Sequence, residues 1–568
     1  MAACCAALCT LGVATARAQV DRATVPCRGQ RISAVNIFSQ APSVARVQRI
    51  PLLGALARDV HITTQPTVVE RFLLLRSGDR CLEVRRAESE RILRAQPFLA
   101  DASVRAVANP DGTVDLEVTT IDEVSLVLGA AVKAQAPLLT GARLGNGNVD
   151  GMGLDAVGSW THEPGLRAGY SARITNYQMF GVPLQSTVSA ARNPLGGSYH
   201  LSLQRPFYTD LQRYAWRVQD GGSASYVRFV DPQQRTHVVR LDRQFWDVGW
   251  LTRLGPPGKF GVLGVSLSRE DEFPGGDPQL LTSHGLVNDS SSAFDGRYTS
   301  RSASRVNALL GYRHIAFVQA SGFDALRARQ DVPVGFEVGT LIGKSASFLG
   351  SRDRDMIVAG DLYAGTATPT SALRLQLVGE SHRNDTSSSW DGFLGSGRLA
   401  RYQRIGQVHT LITSAEWSGG WEERIPFRVT LAGSEGGIRG FGAGTAQGAQ
   451  RAVLRVEDRM ALDPGTAPTA DLGLAFFADA GRVWAGDVPY GVTTPVRYAA
   501  GVGLLAAIPA RSDRLWRLDL IVPQRPGHGV GLTLRLTHMD ATSVFWREPR
   551  DVAAARERTV PSSIFVWP

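Results

Sequence analysis

From Val124 onward the chain is a succession of segments of about ten residues in which apolar and polar side chains alternate, each closed by Gly, Asn, Asp or Pro. Leu166 to Thr175, Tyr199 to Arg205, Ala372 to Leu377 and Arg517 to Ile521 are examples. A period of two puts one set of side chains on each face of a strand. A strand of roughly ten residues, tilted, is long enough to cross a bilayer. No apolar run outside the N-terminus approaches the roughly twenty residues a membrane helix needs. The mean hydropathy is close to zero at −0.07, as expected where an apolar outer face and a polar lumen cancel. The pattern therefore predicts a mainly β chain: a transmembrane antiparallel β-barrel over residues 124–540. A soluble sandwich or propeller fits less well, because no blade-length repeat is visible and an open sheet would leave unpaired backbone in lipid.

Tyr and Trp near strand ends, such as Trp160, Tyr170, Tyr214, Trp216, Trp246 and Trp250, are placed where interfacial girdles would lie. The stretch Glu270 to Ser302 reads as a long loop and Leu254 to Gly258 as a short turn. The formal charge of +9 comes almost wholly from Arg, since Lys occurs only at Lys133, Lys259 and Lys344. These arginines are scattered and form no dense run, so nucleic acid is not an expected partner.

The first 123 residues follow other rules. Residues 1–18 are small and apolar and end Ala16-Arg-Ala18, a cleavable export signal without the usual basic start. Residues 19–30 form an N-terminal segment, and 31–123 a small α+β unit in the order β-α-α-β-β. Its first strand is Arg31 to Phe38. Helices follow at Thr67 to Leu75, stopped by Gly78-Asp79, and at Val84 to Gln96, stopped by Pro97. Val104 to Val107 and Thr113 to Val118 then make a hairpin over the turn Asn109-Pro-Asp-Gly112. Between the first strand and first helix lies an insertion with room for a short helix around Leu52 to Val60. The exported chain keeps two cysteines, Cys27 and Cys81. An oxidising compartment invites a disulfide between them, the alternative being two unpaired small hydrophobes.

Two segments narrow the reading further. Gly436-Gly-Ile-Arg-Gly-Phe441 stands between strand candidates, and Phe476-Phe-Ala-Asp-Ala-Gly481 lies in a strand about forty residues on. An Arg flanked by glycines on a long loop can fold into a barrel lumen and meet a carboxylate on the wall. Asp479 is the first candidate partner of Arg439, and Glu457 the second.

With these motifs the chain resembles the BamA/TamA superfamily of outer-membrane assembly and translocation barrels (surface-antigen D-fifteen-like). Ile438, Arg439, Gly440 and Phe441 match the family's sixth-loop motif, and Phe477 to Gly481, with Asp479 between, its strand motif. The N-terminal unit resembles a single polypeptide-transport-associated (POTRA) domain through Leu75 to Asp79 and Arg91 to Phe98. The resemblance implies sixteen strands, more being possible, with the Arg-bearing loop before the last five. About fifteen strand candidates precede that loop and five follow it. It also implies a bacterial outer-membrane location with the N-terminal domain in the periplasm, and insertion or export of client outer-membrane or secreted polypeptides. Periplasmic accessory proteins or chaperones and the lipid bilayer with its lipopolysaccharide are the other implied partners. The implied mechanism is strand exchange at a weak seam between Val124–Val132 and Gly531–Thr537. Gly129 and Gly531 there read equally as weakened pairing or as barrel bends. One POTRA-like unit, where the best-known assembly member has five, argues against the role of main insertase. Residues 541–568 are left as a C-terminal strand or tail.

Other function classes find little support. A passive pore or an exporter of non-protein cargo is the alternative function. No nucleophile elbow, dinucleotide loop or metal-ligand spacing occurs, so neither enzymatic activity, nor a cofactor, nor a metal is expected. His314, for example, reads as a lumen-facing strand residue.

Overall fold

The structure is a computed structural model that describes residues 23–42, 62–132, 139–385, 389–442, 444, 446–462, 469–524, 531–539 and 548–556. The expected export signal, the candidate helix at Leu52–Val60 and the last twelve residues lie outside that set.

The N-terminal unit consists of β1 (Arg28–Gln40), α1 (Pro66–Arg71), β2 (Arg80–Leu82), α2 (Glu83–Arg94), β3 (Leu99–Ala108) and β4 (Val114–Asp122). Its four strands stand in the order β2-β1-β4-β3, with β1 parallel to β4 and β3 antiparallel to it. Val68, Val69, Phe72, Ile92 and Leu93 bury the helices on the sheet side chains Val104, Leu116 and Val118. Cys27 and Cys81 form a disulfide that ties the start of β1 to β2. α1 ends at Arg71, four residues before the expected Leu75. Phe72 caps it, and Leu73 and Leu75 are buried as extended chain instead. The Asn109–Gly112 turn is present, with the Asn109 N–H donating to Thr113 O at 2.9 Å and Gly112 at φ +81°.

The remaining strands close into a ring. The short ones come first: β5 (Leu126–Val132), β6 (Leu139–Asn146), β7 (Leu154–Thr161), β8 (Gly169–Asn176), β9 (Gln185–Arg192) and β10 (Gly197–Arg205). Long strands follow: β11 (Tyr214–Val230), β12 (Thr236–Leu254), β13 (Lys259–Thr282), β15 (Arg301–Ser321), β16 (Arg329–Ser345), β17 (Asp355–Ala367), β18 (Ser371–Asn384), β19 (Trp390–Ile405) and β20 (His409–Trp421). After the Arg-bearing loop, with its two-residue β21 (Val429–Thr430) and β22 (Gln447–Gly448), come the last five ring strands. These are β23 (Gln450–Ala461), β24 (Asp471–Trp484), β25 (Arg497–Ala507), β26 (Leu515–Pro523) and β27 (Thr533–Met539). β27 neighbours β5 and closes the barrel.

The sheet has 21 strands, but β14 (Gly285–Asn288) pairs only with the far end of β13, and β13 pairs directly with β15 beneath it. Twenty strands therefore make the ring among the described residues, fifteen before the Arg-bearing loop and five after, rather than sixteen. Only β14 is a hairpin extension. The expected loop Glu270–Ser302 is also corrected, because β13 runs on to Thr282. Glu270 and Glu272, which look like loop residues, are buried strand positions, neutralised by Arg305 at 2.8 Å and by Arg243 at 2.9 Å from neighbouring strands. Cross-strand pairing at a separation of tens of residues leaves no trace in local periodicity. The Leu254–Gly258 turn is where expected, between β12 and β13.

Exposed apolar side chains such as Leu144, Val188, Val265, Leu454, Leu504 and Leu534 stand around the outside of the ring, the band a barrel presents to lipid. Trp216 opposite Trp250 marks one rim, and Trp160 opposite Tyr170 the other.

The N-terminal domain lies across one mouth of the barrel and touches four connections between strands and the start of β16. Asn148 donates to Thr64 at 2.8 Å, Arg71 to Gln178 at 3.0 Å, and Thr209 to Glu88 at 2.6 Å. Arg94 holds Asp331 at 2.7 Å, and Ser512 and Arg514 meet Glu123 and the Pro97 carbonyl. The short helix α3 (Arg550–Arg556) sits inside the ring with Val552 packed on Leu394, Phe427 and Val429. So this part of the tail is a lumenal helix rather than a closing strand.

Candidate functional site

The long connection between β20 and β23 folds inward because its glycines let it approach the wall. Gly440 has φ +83°, and a Cβ there would lie 2.9 Å from Ile521; a Cβ on Gly437 would sit 2.2 Å from the Leu431 carbonyl. Ile438 and Phe441, on either side of the Arg-Gly pair, are buried against Leu431, Val453, Val483 and Ile521. This apolar seat fixes the loop and aims Arg439 at the barrel wall.

Arg439 then meets two strands. Its Nη2 lies 2.6 Å from Asp479 Oδ1 and its Nε 2.8 Å from Oδ2, a two-pronged grip on one carboxylate. Its own backbone N–H donates to the same Oδ2 at 3.1 Å, and Nη1 donates to Glu457 at 2.7 Å. The guanidinium is stacked 3.7 Å from the centre of the Phe477 ring. Asp479 and Phe477 stand two apart on β24, so both point into the lumen, while Phe476 between strands' faces points out and is half exposed. Gly481 completes the strand motif by absence: a Cβ there would sit 2.7 Å from Ala452 O and 3.3 Å from Ile438. Gly501 on β25 leaves the room that Phe477 fills, since a Cβ would lie 2.5 Å from its ring.

Every residue singled out in the two motifs is thus in one cluster, and both candidate carboxylates hold Arg439 at once. A buried ion pair of this kind is costly to break, because removing one partner strands the other charge away from water. The planar fork of Arg suits the two-oxygen grip in a way Lys does not.

The sequence reading did not name the rest of the network. Arg517 reaches Glu457 at 2.8 Å and Asp519 at 2.7 Å, and Arg459 reaches Glu457 at 2.7 Å. Arg455 donates to the Gly436 and Gly437 carbonyls at 3.1 and 2.7 Å, holding the loop by its backbone. A signal was available, because Arg451, Arg455, Glu457 and Arg459 stand at even spacing along β23, as do Arg517 and Asp519 on β26. Charges at a period of two on a strand otherwise facing lipid belong to the lumen. The tail adds a second tie: Asp551 of α3 accepts from Arg451 at 2.6 Å, and the Arg243 guanidinium donates to Ala555 O at 2.8 Å.

Among the described residues, no group of His, Cys, Asp and Glu is arranged to hold a metal ion. The cluster carries no nucleophile paired with a base. What it can do is mechanical: it fixes a loop, and through the loop the contents of the lumen, to strands close to the point where the ring closes.

The described strands form a closed β-barrel that encloses an arginine-clasped loop, with a small α+β domain at one mouth. No protein-family model matches the sequence, and no curated protein matches it significantly. Among solved structures it is similar to BamA from Haemophilus ducreyi lacking POTRA domains 1–3, at 11% identity, covering 90% of this chain and 85% of that one with a TM-score of 0.38. It is also similar to CdiB from Escherichia coli, at 12% identity, covering 89% and 75% with a TM-score of 0.44. CdiB from Acinetobacter baumannii follows at 11% identity, 89% and 72% coverage and a TM-score of 0.39.

Proposed function

We propose that this chain is an outer-membrane assembly or translocation factor that inserts or exports client polypeptides, with its N-terminal domain in the periplasm. The observation that carries the reading is the Arg439 clasp: a loop drawn into the lumen and held by Asp479 and Glu457 on β24 and β23. β27 and β5 meet at the seam, each described over seven residues. In this reading the seam parts, since each backbone hydrogen bond along it contributes only about 1 kcal/mol net. A parted seam offers unpaired N–H and C=O groups that an incoming strand can pair with. In this reading a client or accessory protein also meets the N-terminal domain, away from its β3 edge, which backbone bonds to Ala23 and Val25 already cover. In this reading the protein performs no chemistry on its clients.

Depletion of the protein followed by quantitative proteomics of purified outer membrane tests the proposal. Loss of a defined set of barrels or surface proteins is the expected result. An unchanged membrane proteome with reduced permeability to small solutes would replace it with the pore reading.

A further inference from the structure

Beside the clasp lies a cavity of about 490 Å³, enclosed by β19, β20, β23, β26 and β27, the loop and the start of α3. Its size is that of a small-molecule site. Seven arginines and four carboxylates line it, a formal excess of three positive charges.

Five of the arginines are accounted for. Glu457 and Asp519 hold Arg517, Glu457 holds Arg439 and Arg459, and Glu416 holds Arg455 and Arg398. The fourth carboxylate, Asp324, is taken by Arg374 at 3.0 Å and by the Tyr402 hydroxyl at 2.6 Å. Arg535 on β27 and Arg550 at the start of α3 have no ion-pair partner among the described residues, and both border the cavity. Arg517 adds a third free donor: its side chain is buried, its Nε and Nη1 are engaged, and its Nη2 has no hydrogen-bond partner. Arginine guanidinium groups that converge on one cavity without carboxylates are short of an anion.

We propose that this cavity is a binding site for a phosphomonoester, held by Arg535, Arg550 and the free Nη2 of Arg517. Two arginines without carboxylates match the charge of a phosphomonoester dianion, and planar forks bind its oxygens pairwise. The volume exceeds bare phosphate, so the group is carried on a sugar or a glycerol. Arg550 comes from the tail and Arg535 from the closing strand, so an occupied site ties α3 to β27 across the mouth of the clasp. The phosphomonoester reaches the site as a free solute or as a lipid headgroup entering past β27.

Isothermal titration of the full-length protein in detergent with glucose 1-phosphate tests the first source. Nanodiscs containing phosphatidic acid, compared with phosphatidylcholine alone, test the second by native mass spectrometry. The expected result is saturable binding in one arm, weakened at least tenfold in Arg535→Gln/Arg550→Gln and weakened again by raising the salt from 0.05 to about 0.5 M. Binding in the first arm assigns a solute, and binding in the second alone assigns a headgroup. Because neither arginine forms an ion pair among the described residues, the double variant keeps its thermal transition. Should it fold poorly, Arg550→Gln, exposed on the tail, is read instead. No binding in either arm, or binding unchanged in both variants, overturns the site. Neither outcome bears on client insertion, which the proteomics experiment reads.

Discussion

The two halves of the barrel wall follow different rules. From β5 to β10 the strands are seven to nine residues long. Their inward positions include short hydroxyls, such as Ser159 facing Ser171 at 2.6 Å and Thr175 facing Thr187 at 3.3 Å. From β11 to β20 the ring strands are thirteen to twenty-four residues long. Their inward positions include fully buried arginines. Arg305, for one, lies between Glu270 and Asp355. The difference follows from what each half encloses. The long wall and the last five strands pack on the loop and α3, and burial there obliges every charge to find a partner. The short wall encloses less, its inward side chains keep contact with water, and hydroxyls with a few exposed charges suffice.

That contrast can be tested by removing one arginine from each regime. Arg305→Ala strands two buried carboxylates and should lower the midpoint of heat-modifiability on gels by the equivalent of about 3–5 kcal/mol. Arg439→Ala should cost a similar amount locally. Its sharper readout is protease cleavage between residues 422 and 449, which should become rapid while the ring stays closed. An uncleaved loop would mean that the apolar seat of Ile438 and Phe441 suffices without the clasp.

The joint between domain and barrel should respond to pH. Burial pushes the Glu123 carboxyl up to about 7, against the pull of Arg514, and raises Asp122 and Asp513 to about 6. An acid whose docked value is raised favours docking below its ordinary value of about 4.5. It loses that contribution as pH climbs through the docked value. For Glu123 the change is on the order of 3 kcal/mol. Protection of the amides in residues 508–514, after correction for intrinsic exchange, should therefore be higher at pH 5 than at pH 8, and Glu123→Gln should flatten the difference. Equal protection at both values would remove Glu123 from the account.

Gly501→Leu should displace Phe477 from under Arg439 and cost about 1–3 kcal/mol, read as a lower unfolding midpoint. The smallest effect belongs to the short wall. Arg173 is half exposed, with Asp155 at 3.5 Å, and Arg173→Ala should change the midpoint by about 0.5 kcal/mol or less. A loss as large as that of Arg305→Ala would abolish the distinction between the two halves.

Much of this arrangement was legible in the chain. Period-two alternation from Val124 predicts the barrel, because the pleat converts it directly into an inner and an outer face. The candidate counts of fifteen and five agree with the ring, which is the larger barrel that the resemblance left open beside sixteen strands. Arg439, Asp479 and Glu457 stood out because glycines flank the arginine and the carboxylates sit on alternating strands. Glu270, Glu272 and Pro274 hid in plain view, since acidic residues with Pro and Gly look like a turn until Arg243, Arg301 and Arg305 arrive from elsewhere in the chain. Nothing in Arg550 to Arg556 marked them for the lumen, because a polar helix is drawn inside only by partners such as Arg451 and Glu380.

The domain across the barrel mouth also bears on how such a ring comes to be made. β5 must wait for β27, about 400 residues later in the chain, and bringing two ends that distant together costs about 5 kcal/mol in loop entropy. The domain directly precedes β5, and it holds Asn148, Gln178 and Thr209 from early hairpins together with Asp331 and Arg514 from late ones. Each strand pair that docks its turn on this template shortens the effective distance left to span. A folding template carried at the head of the chain thus converts one improbable long-range encounter into several short ones.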